Sequence, residues 1–98
     1  MFDPQFDPHK RRLHIRYTRL WTVDQAKQFV KDFREILRKT AVGGEFTLLD
    51  DLSDWPTQTK EVAEICNELP DVVLEMPVTR NAMVIPQALL RIQVKRTL

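Results

Sequence analysis

Residues 46–59, FTLLDDLSDWPTQT, hold most of the side chains in this sequence that could do chemistry. Two adjacent carboxylates, Asp50 and Asp51, close an apolar segment, and a polar loop containing Thr57 and Thr59 follows. A pair of carboxylates can act as general acid and base, or can bind a divalent cation. In an α/β domain, ligands and partners gather where the carboxyl end of a strand meets the start of a helix. We therefore expect a functional site, if the chain has one, at this corner.

Strand geometry limits what the two carboxylates can do together. Adjacent residues of a strand point to opposite faces of the sheet, so Asp50 and Asp51 are expected to diverge. A catalytic pair needs both groups within hydrogen-bond reach of the reacting atoms. The sequence therefore predicts no catalytic residues and a non-enzymatic protein. One of the aspartates is expected to accept hydrogen bonds from the loop or from a helix cap.

The loop after the strand is the better candidate for recognition. Trp55 is either an exposed anchor for a partner, since tryptophan often carries interface energy, or a ring packed over the end of the sheet. Thr57 and Thr59 are most simply helix caps, and both are candidate phosphate acceptors. The predicted partner-binding residues are Ser53, Asp54, Trp55, Thr57 and Thr59.

The other reactive side chains do not form a motif. His9 and His14 are far in sequence from other ligand types, and a metal site needs three or four converging groups, so no metal site is expected. Cys66 falls on the apolar stripe of a predicted helix without an activating neighbour, so we predict a small core residue.

Composition restricts the class of protein. A chain of 98 residues with 43% hydrophobic and 30% charged residues predicts one globular domain, 1–98. The formal net charge of +1 argues against a nucleic-acid-binding protein. No apolar run approaches the roughly 20 residues that span a bilayer, and the amino terminus does not resemble a signal peptide. With a single cysteine, a reducing cytoplasm is the simplest location. Nothing in the composition implies a cofactor.

A hairpin is predicted at the amino terminus. Leu13, Ile15 and Tyr17 alternate with polar residues, and this period of two is typical of a half-buried strand. A proline-containing turn precedes them. We predict that residues 2–6 pair with residues 12–20.

A long amphipathic helix is predicted next. Thr22 and Gln25 have the spacing of a capping box, in which each side chain bonds the other residue's backbone amide. The paired glycines at 43–44 mark the end of the helix region. The apolar stripe consists of Ala26, Phe29, Val30, Phe33, Ile36 and Leu37.

The strand at 45–52 is apolar on both sides, so we expect it to be central and covered on both faces. Pro70 cannot donate a helical hydrogen bond and is expected to divide or kink the helix that follows. The later elements are predicted as helical pieces at 59–68 and 71–76, a strand at 78–85 and a third helix at 86–96. Strands separated by helices imply parallel crossovers, so the fold class is α/β with a mixed sheet.

Three segments, residues 20–26, 46–53 and 80–96, resemble the STAS-like domains of bacterial anti-sigma-factor antagonists. The closer similarity is to the SpoIIAA-like group, whose fold is related to the lipid-carrying Sec14/CRAL-TRIO domains. Antagonists that switch partners by phosphorylation carry Asp-Ser-Ser-Gly at the start of the second helix. Here residues 54–59 read DWPTQT, so a phosphorylation switch would have to use Thr57 or Thr59.

The resemblance implies a binding or regulatory module that recognises a protein partner in bacterial signalling. The kinship with lipid carriers gives an alternative, a binder or sensor of a small apolar ligand or lipid, which requires a cavity of a few hundred Å³. An enzyme that uses Asp50 or Asp51 would require a cleft with a carboxylate of perturbed pKa. Relatives often continue beyond the third helix, whereas this chain stops at Leu98, so we expect a second copy to cover the surface left and form a homodimer.

Overall fold

The computed structural model describes residues 1–84. The predicted third helix, 86–96, and the last residue of the predicted strand 78–85 lie outside the described residues. The elements in chain order are β1 Phe2–Asp7, β2 Arg12–Tyr17, α1 Val23–Ala41, β3 Phe46–Asp51, α2 Lys60–Cys66, α3 Leu69–Leu74 and β4 Val78–Val84.

Four strands form one mixed sheet in the order β1-β2-β3-β4. β1 and β2 are antiparallel, with Phe2 opposite Tyr17, whereas β2, β3 and β4 run parallel to one another. Parallel neighbours need a crossover between them, and α1 and the α2–α3 pair provide the two crossovers. The predicted α/β class, the amino-terminal hairpin and the mixed sheet are confirmed.

The capping box begins α1 as predicted. The Gln25 amide donates to Thr22 Oγ1 at 3.2 Å, and the Thr22 amide donates to Gln25 Oε1 at 3.0 Å. The buried stripe of the helix then packs on the sheet at positions spaced three and four apart. These buried residues are Ala26, Phe29, Phe33 and Leu37.

The helix after β3 is divided into two pieces, as the presence of Pro70 predicts. The break between α2 and α3 falls at residues 67–68, before the proline, and Pro70 lies in the first turn of α3. A proline is tolerated there, because the amide hydrogens of the first turn have no partner within the helix. Pro70 also has no amide hydrogen to bond the Cys66 carbonyl oxygen, so one continuous helix cannot run through residues 66–70. The predicted division is confirmed, with pieces at Lys60–Cys66 and Leu69–Leu74.

Burial along β3 is one-sided in the described residues. Phe46, Leu48 and Asp50 are buried against the helices, whereas the alternate positions Thr47, Leu49 and Asp51 are half-buried on the opposite face. Within residues 1–84, the expected cover on both faces is therefore not found. Of the three side chains on the second face, only Leu49 is apolar.

In residues 1–84, none of the helices combines the length and hydropathy needed to cross a membrane.

Candidate functional site

The two adjacent aspartates diverge at the end of β3, as strand geometry predicts. Asp50 is only 5% exposed, on the face that carries the helices, and Asp51 is half-buried on the other face. Asp51 Oδ1 accepts from the Ser53 hydroxyl at 2.6 Å and from the Ser53 amide at 3.0 Å. These hydrogen bonds hold the pKa of Asp51 below its usual value. Asp51 is thus the predicted loop acceptor, and Asp50 has a different environment.

Asp50 is a carboxyl group in an apolar setting with one neutral hydrogen-bond donor. The Tyr17 hydroxyl donates to Asp50 Oδ1 at 2.7 Å. None of the ion pairs among residues 1–84 includes Asp50. Burial raises the pKa of Asp50 from 3.8 to about 6, although the Tyr17 hydrogen bond acts in the opposite direction. Burial, with Asp50 beside it, raises the pKa of Tyr17 well above its usual value, so the phenol stays protonated.

A cavity of about 260 Å³ opens next to Asp50, between the sheet and the α2–α3 pair. Its polar contributors are Tyr17, Asp50, Asn67 and Asn81. Most of its surface is apolar, and the wall includes Phe33, Leu52, Trp55, Leu69, Val73 and Met83. Ligand pockets in proteins have this make-up, a mainly apolar wall with a few placed polar groups.

Cys66 also lines this cavity and is half-buried. Burial raises the pKa of its thiol. A neutral thiol is a poor nucleophile and a poor metal ligand, so Cys66 contributes apolar surface to the wall.

Trp55 forms one side of the cavity and is packed over the end of the sheet. Its ring centroid lies 5.3 Å from that of Tyr17 and 5.1 Å from that of Trp21. Trp21 in turn packs edge-on against Phe29 at 4.8 Å. Of the two positions expected for Trp55, the structure shows the packed one, so the ring extends the aromatic core to the mouth of the cavity.

The other residues of the predicted recognition loop are exposed. Thr59 caps α2 by accepting from the Val62 amide at 3.3 Å, as expected. Asp54 forms an ion pair with Arg16 of β2. Thr57 makes no hydrogen bond within the described part of the chain, and Ser53 is held by Asp51. These polar side chains are exposed in the loop that holds Trp55, whereas Trp55 itself lines the cavity.

Gln58 is a residue of the corner that sequence reasoning missed. Its side-chain oxygen accepts from the Trp21 amide at 2.8 Å, and its side-chain nitrogen donates to the carbonyl oxygens of Arg19 at 3.1 Å and Pro56 at 2.8 Å. These bonds tie the loop to the segment between β2 and α1. No sequence signal points to this role, because two of the three partners are backbone groups of Trp21 and Arg19, far away in the chain.

His14 lies on the sheet face opposite the cavity, which confirms its predicted position on the wetter side of β2. Its Nε2 is 3.8 Å from Asp51 Oδ2, and its side chain is 43% exposed. In residues 1–84, no three His, Cys, Asp or Glu side chains converge in a way that could hold a metal ion.

Comparison of the chain with protein-family models, with curated proteins and with solved structures gave no significant match in any of the three.

Proposed function

We propose that this chain is a non-enzymatic binding module that holds a small, largely apolar ligand in the cavity between the sheet and α2–α3. The observation that carries the proposal is the cavity of about 260 Å³ with its mainly apolar wall. A ligand that fills it would remove apolar wall and ligand surface from water, which favours binding by about 25 cal/mol per Å². The order hairpin, helix, strand, helix pair, strand is compatible with a STAS-like domain of the SpoIIAA-like group, which we keep as the proposed family.

Binding without catalysis suits the polar groups at the cavity. Asp50 has only Tyr17 as a hydrogen-bond partner among the described residues, and the pKa of that phenol is raised. The Cys66 thiol stays neutral, and a nucleophile has to be activated by a base or a lowered pKa. The arrangement can therefore orient one polar group of a ligand, while the wall takes up its apolar part.

A series of linear alcohols from butanol to octanol tests the proposal by isothermal titration calorimetry. We expect affinity to rise about fourfold with each added methylene, because burying one contributes about 0.8 kcal/mol. The increase should stop once the chain fills the cavity. An absence of saturable binding for every alcohol would contradict the proposal.

Two neighbouring positions of α3 supply a matched pair of variants for that titration. Val73 lines the cavity, and the Val73→Phe variant is expected to fill it and abolish alcohol binding. Leu74 is 82% exposed, so the Leu74→Phe variant should bind alcohols like the wild type. Both variants should unfold at or above the wild-type temperature, which separates a filled cavity from a misfolded chain.

A second candidate function, recognition of a protein partner in bacterial signalling, is supported by the exposed corner. The exposed polar side chains belong to the loop that holds Trp55, whose ring packs on Trp21; they are Ser53, Asp54, Thr57 and Thr59. A photo-crosslinking residue at position 57, in protein expressed in the native host, should capture one defined partner. The same residue at exposed position 27 on α1 is the control and should not capture that partner. Equal capture at both positions would contradict specific recognition at the corner.

A further inference from the structure

We propose that the ligand of this cavity carries a cationic amine, bound by Asp50, with its alkyl part against the apolar wall. This inference rests on the proposed function and names the chemical class of the ligand. The reason for an amine is Asp50, which is only 5% exposed. Among residues 1–84 this buried carboxyl group forms no ion pair with a cationic side chain.

The hydrogen bonding of Asp50 leaves room for a ligand. A carboxylate has two oxygens and about four acceptor positions. Within the described residues, one donor uses one of them, the Tyr17 hydroxyl at 2.7 Å from Oδ1. A buried carboxylate is stabilised by an opposite charge and by donors to its free positions. A primary ammonium group supplies a positive charge and three donors in one compact group.

The surroundings of Asp50 favour a cation over a neutral donor. Tyr17, Phe33 and Trp55 place three aromatic rings on the cavity lining. Ring faces attract a cation within about 6 Å of the centroid. No Lys or Arg side chain lines the cavity in the described part of the chain, so the positive charge would meet no like charge. An anionic ligand would meet a buried carboxylate and is disfavoured.

Among the described residues that line the cavity, Asp50 is the group expected to change its charge between pH 5 and pH 7.5. β2 contributes Tyr17 and α2 contributes Cys66, both with raised pKa values. α1, α3 and β4 contribute apolar or amide side chains. His14 acts on Asp50 from the opposite face of the sheet and favours its charged form. Because the pKa of Asp50 is about 6, amine binding should require the ionised carboxylate and weaken in acid.

Calorimetric titration of the full chain with hexylamine, hexanol and hexanoate at pH 7.5 tests the proposal. We expect hexylamine to bind at least tenfold more tightly than hexanol, and hexanoate to bind more weakly than either. Hexylamine affinity should fall at least fivefold at pH 5, where an alkylamine is still fully protonated and most of the Asp50 carboxyl is protonated as well. Hexanol affinity should change little between the two pH values.

The Asp50→Asn variant separates two claims, that the cavity binds an apolar ligand and that Asp50 binds the amine of that ligand. The amide keeps an acceptor for Tyr17 but carries no charge, so we expect the preference for hexylamine over hexanol to disappear while hexanol still binds. If hexanol binds the wild type and hexylamine shows no advantage, the amine inference is wrong and the proposed function stands. If none of the three binds, the proposed function itself fails. An amine preference that survives in Asp50→Asn would also overturn the assignment of Asp50.

Discussion

The Asp50→Asn variant is expected to be more stable than the wild type at pH 8, by up to about 3 kcal/mol. The shift in the pKa of Asp50 from 3.8 to about 6 sets this figure, since one pKa unit corresponds to about 1.4 kcal/mol. The folded wild type holds an ionised carboxylate in a site that disfavours charge. An amide of the same shape removes that cost and keeps the acceptor for the Tyr17 hydroxyl.

The pH dependence of this effect has a defined sign. Because the pKa of Asp50 is raised in the folded state, the folded chain binds the proton more tightly than the unfolded chain does. Asp50 therefore contributes most to the free energy of unfolding below about pH 4, where it is protonated in both states. This contribution is lost as the pH rises towards about 6. Urea unfolding of wild type and variant at pH 4 and pH 8 should show a large difference only at pH 8.

The neighbouring aspartate supplies the matched control. The pKa of Asp51 is lowered by its hydrogen bonds with Ser53, so Asp51 stabilises the fold in its charged form. The Asp51→Asn variant should be slightly less stable than the wild type at pH 8, which is the opposite sign. An Asp50→Asn variant that is destabilised at pH 8 to the same extent as Asp51→Asn would show that Asp50 is an ordinary structural acceptor. A stabilising change at a polar cavity residue is typical of a site kept for binding.

The Phe29→Ala variant is expected to lose about 3–5 kcal/mol of stability, the usual cost of removing a buried phenylalanine. Phe29 is 1% exposed and lies at the centre of the aromatic core. Its ring centroid is within 5.5 Å of those of Phe2, Tyr17, Trp21 and Phe33. The free energy of unfolding of a small domain is about 5–15 kcal/mol in total. This one substitution should therefore bring the protein close to unfolding at 37 °C.

Phe6 offers the same chemical change at an exposed position. It is 39% exposed, and its ring lies beneath the Arg11 guanidinium at 5.0 Å. We expect Phe6→Ala to cost about 1 kcal/mol or less, since it loses one cation–π contact and little buried surface. Thermal unfolding followed by circular dichroism compares the two variants. Equal losses would contradict the assignment of Phe29 to the centre of the core.

Local sequence patterns predicted most of the fold because the relevant interactions are local. The capping box of Thr22 and Gln25, and the alternation of Leu13, Ile15 and Tyr17, depend on neighbours within four residues. The divergence of Asp50 and Asp51 follows from the period of a strand. The division of the helix at Pro70 was also predictable, because a proline disrupts the helical turn immediately before it.

The cavity could not be predicted from the sequence. It depends on the contact between Tyr17 and Asp50, which are 33 residues apart, and on how far α2 and α3 stand from the sheet. The sequence singled out Asp50 as one of two adjacent carboxylates and gave no reason to prefer it over Asp51. Trp55 was recognised as important, but its packing on Trp21 joins two segments that are far apart in the chain.

The central claim, that the cavity beneath Trp55 holds a small apolar ligand, is tested most directly by isotope-filtered nuclear Overhauser spectroscopy on labelled protein with saturating unlabelled hexanol. The account predicts intermolecular contacts from the alkyl protons of hexanol to the methyl groups of Leu52, Leu69 and Val73, which line the cavity. Contacts restricted to Leu49 and Ala82, on the opposite face of the sheet, or no contacts at saturation, would contradict it.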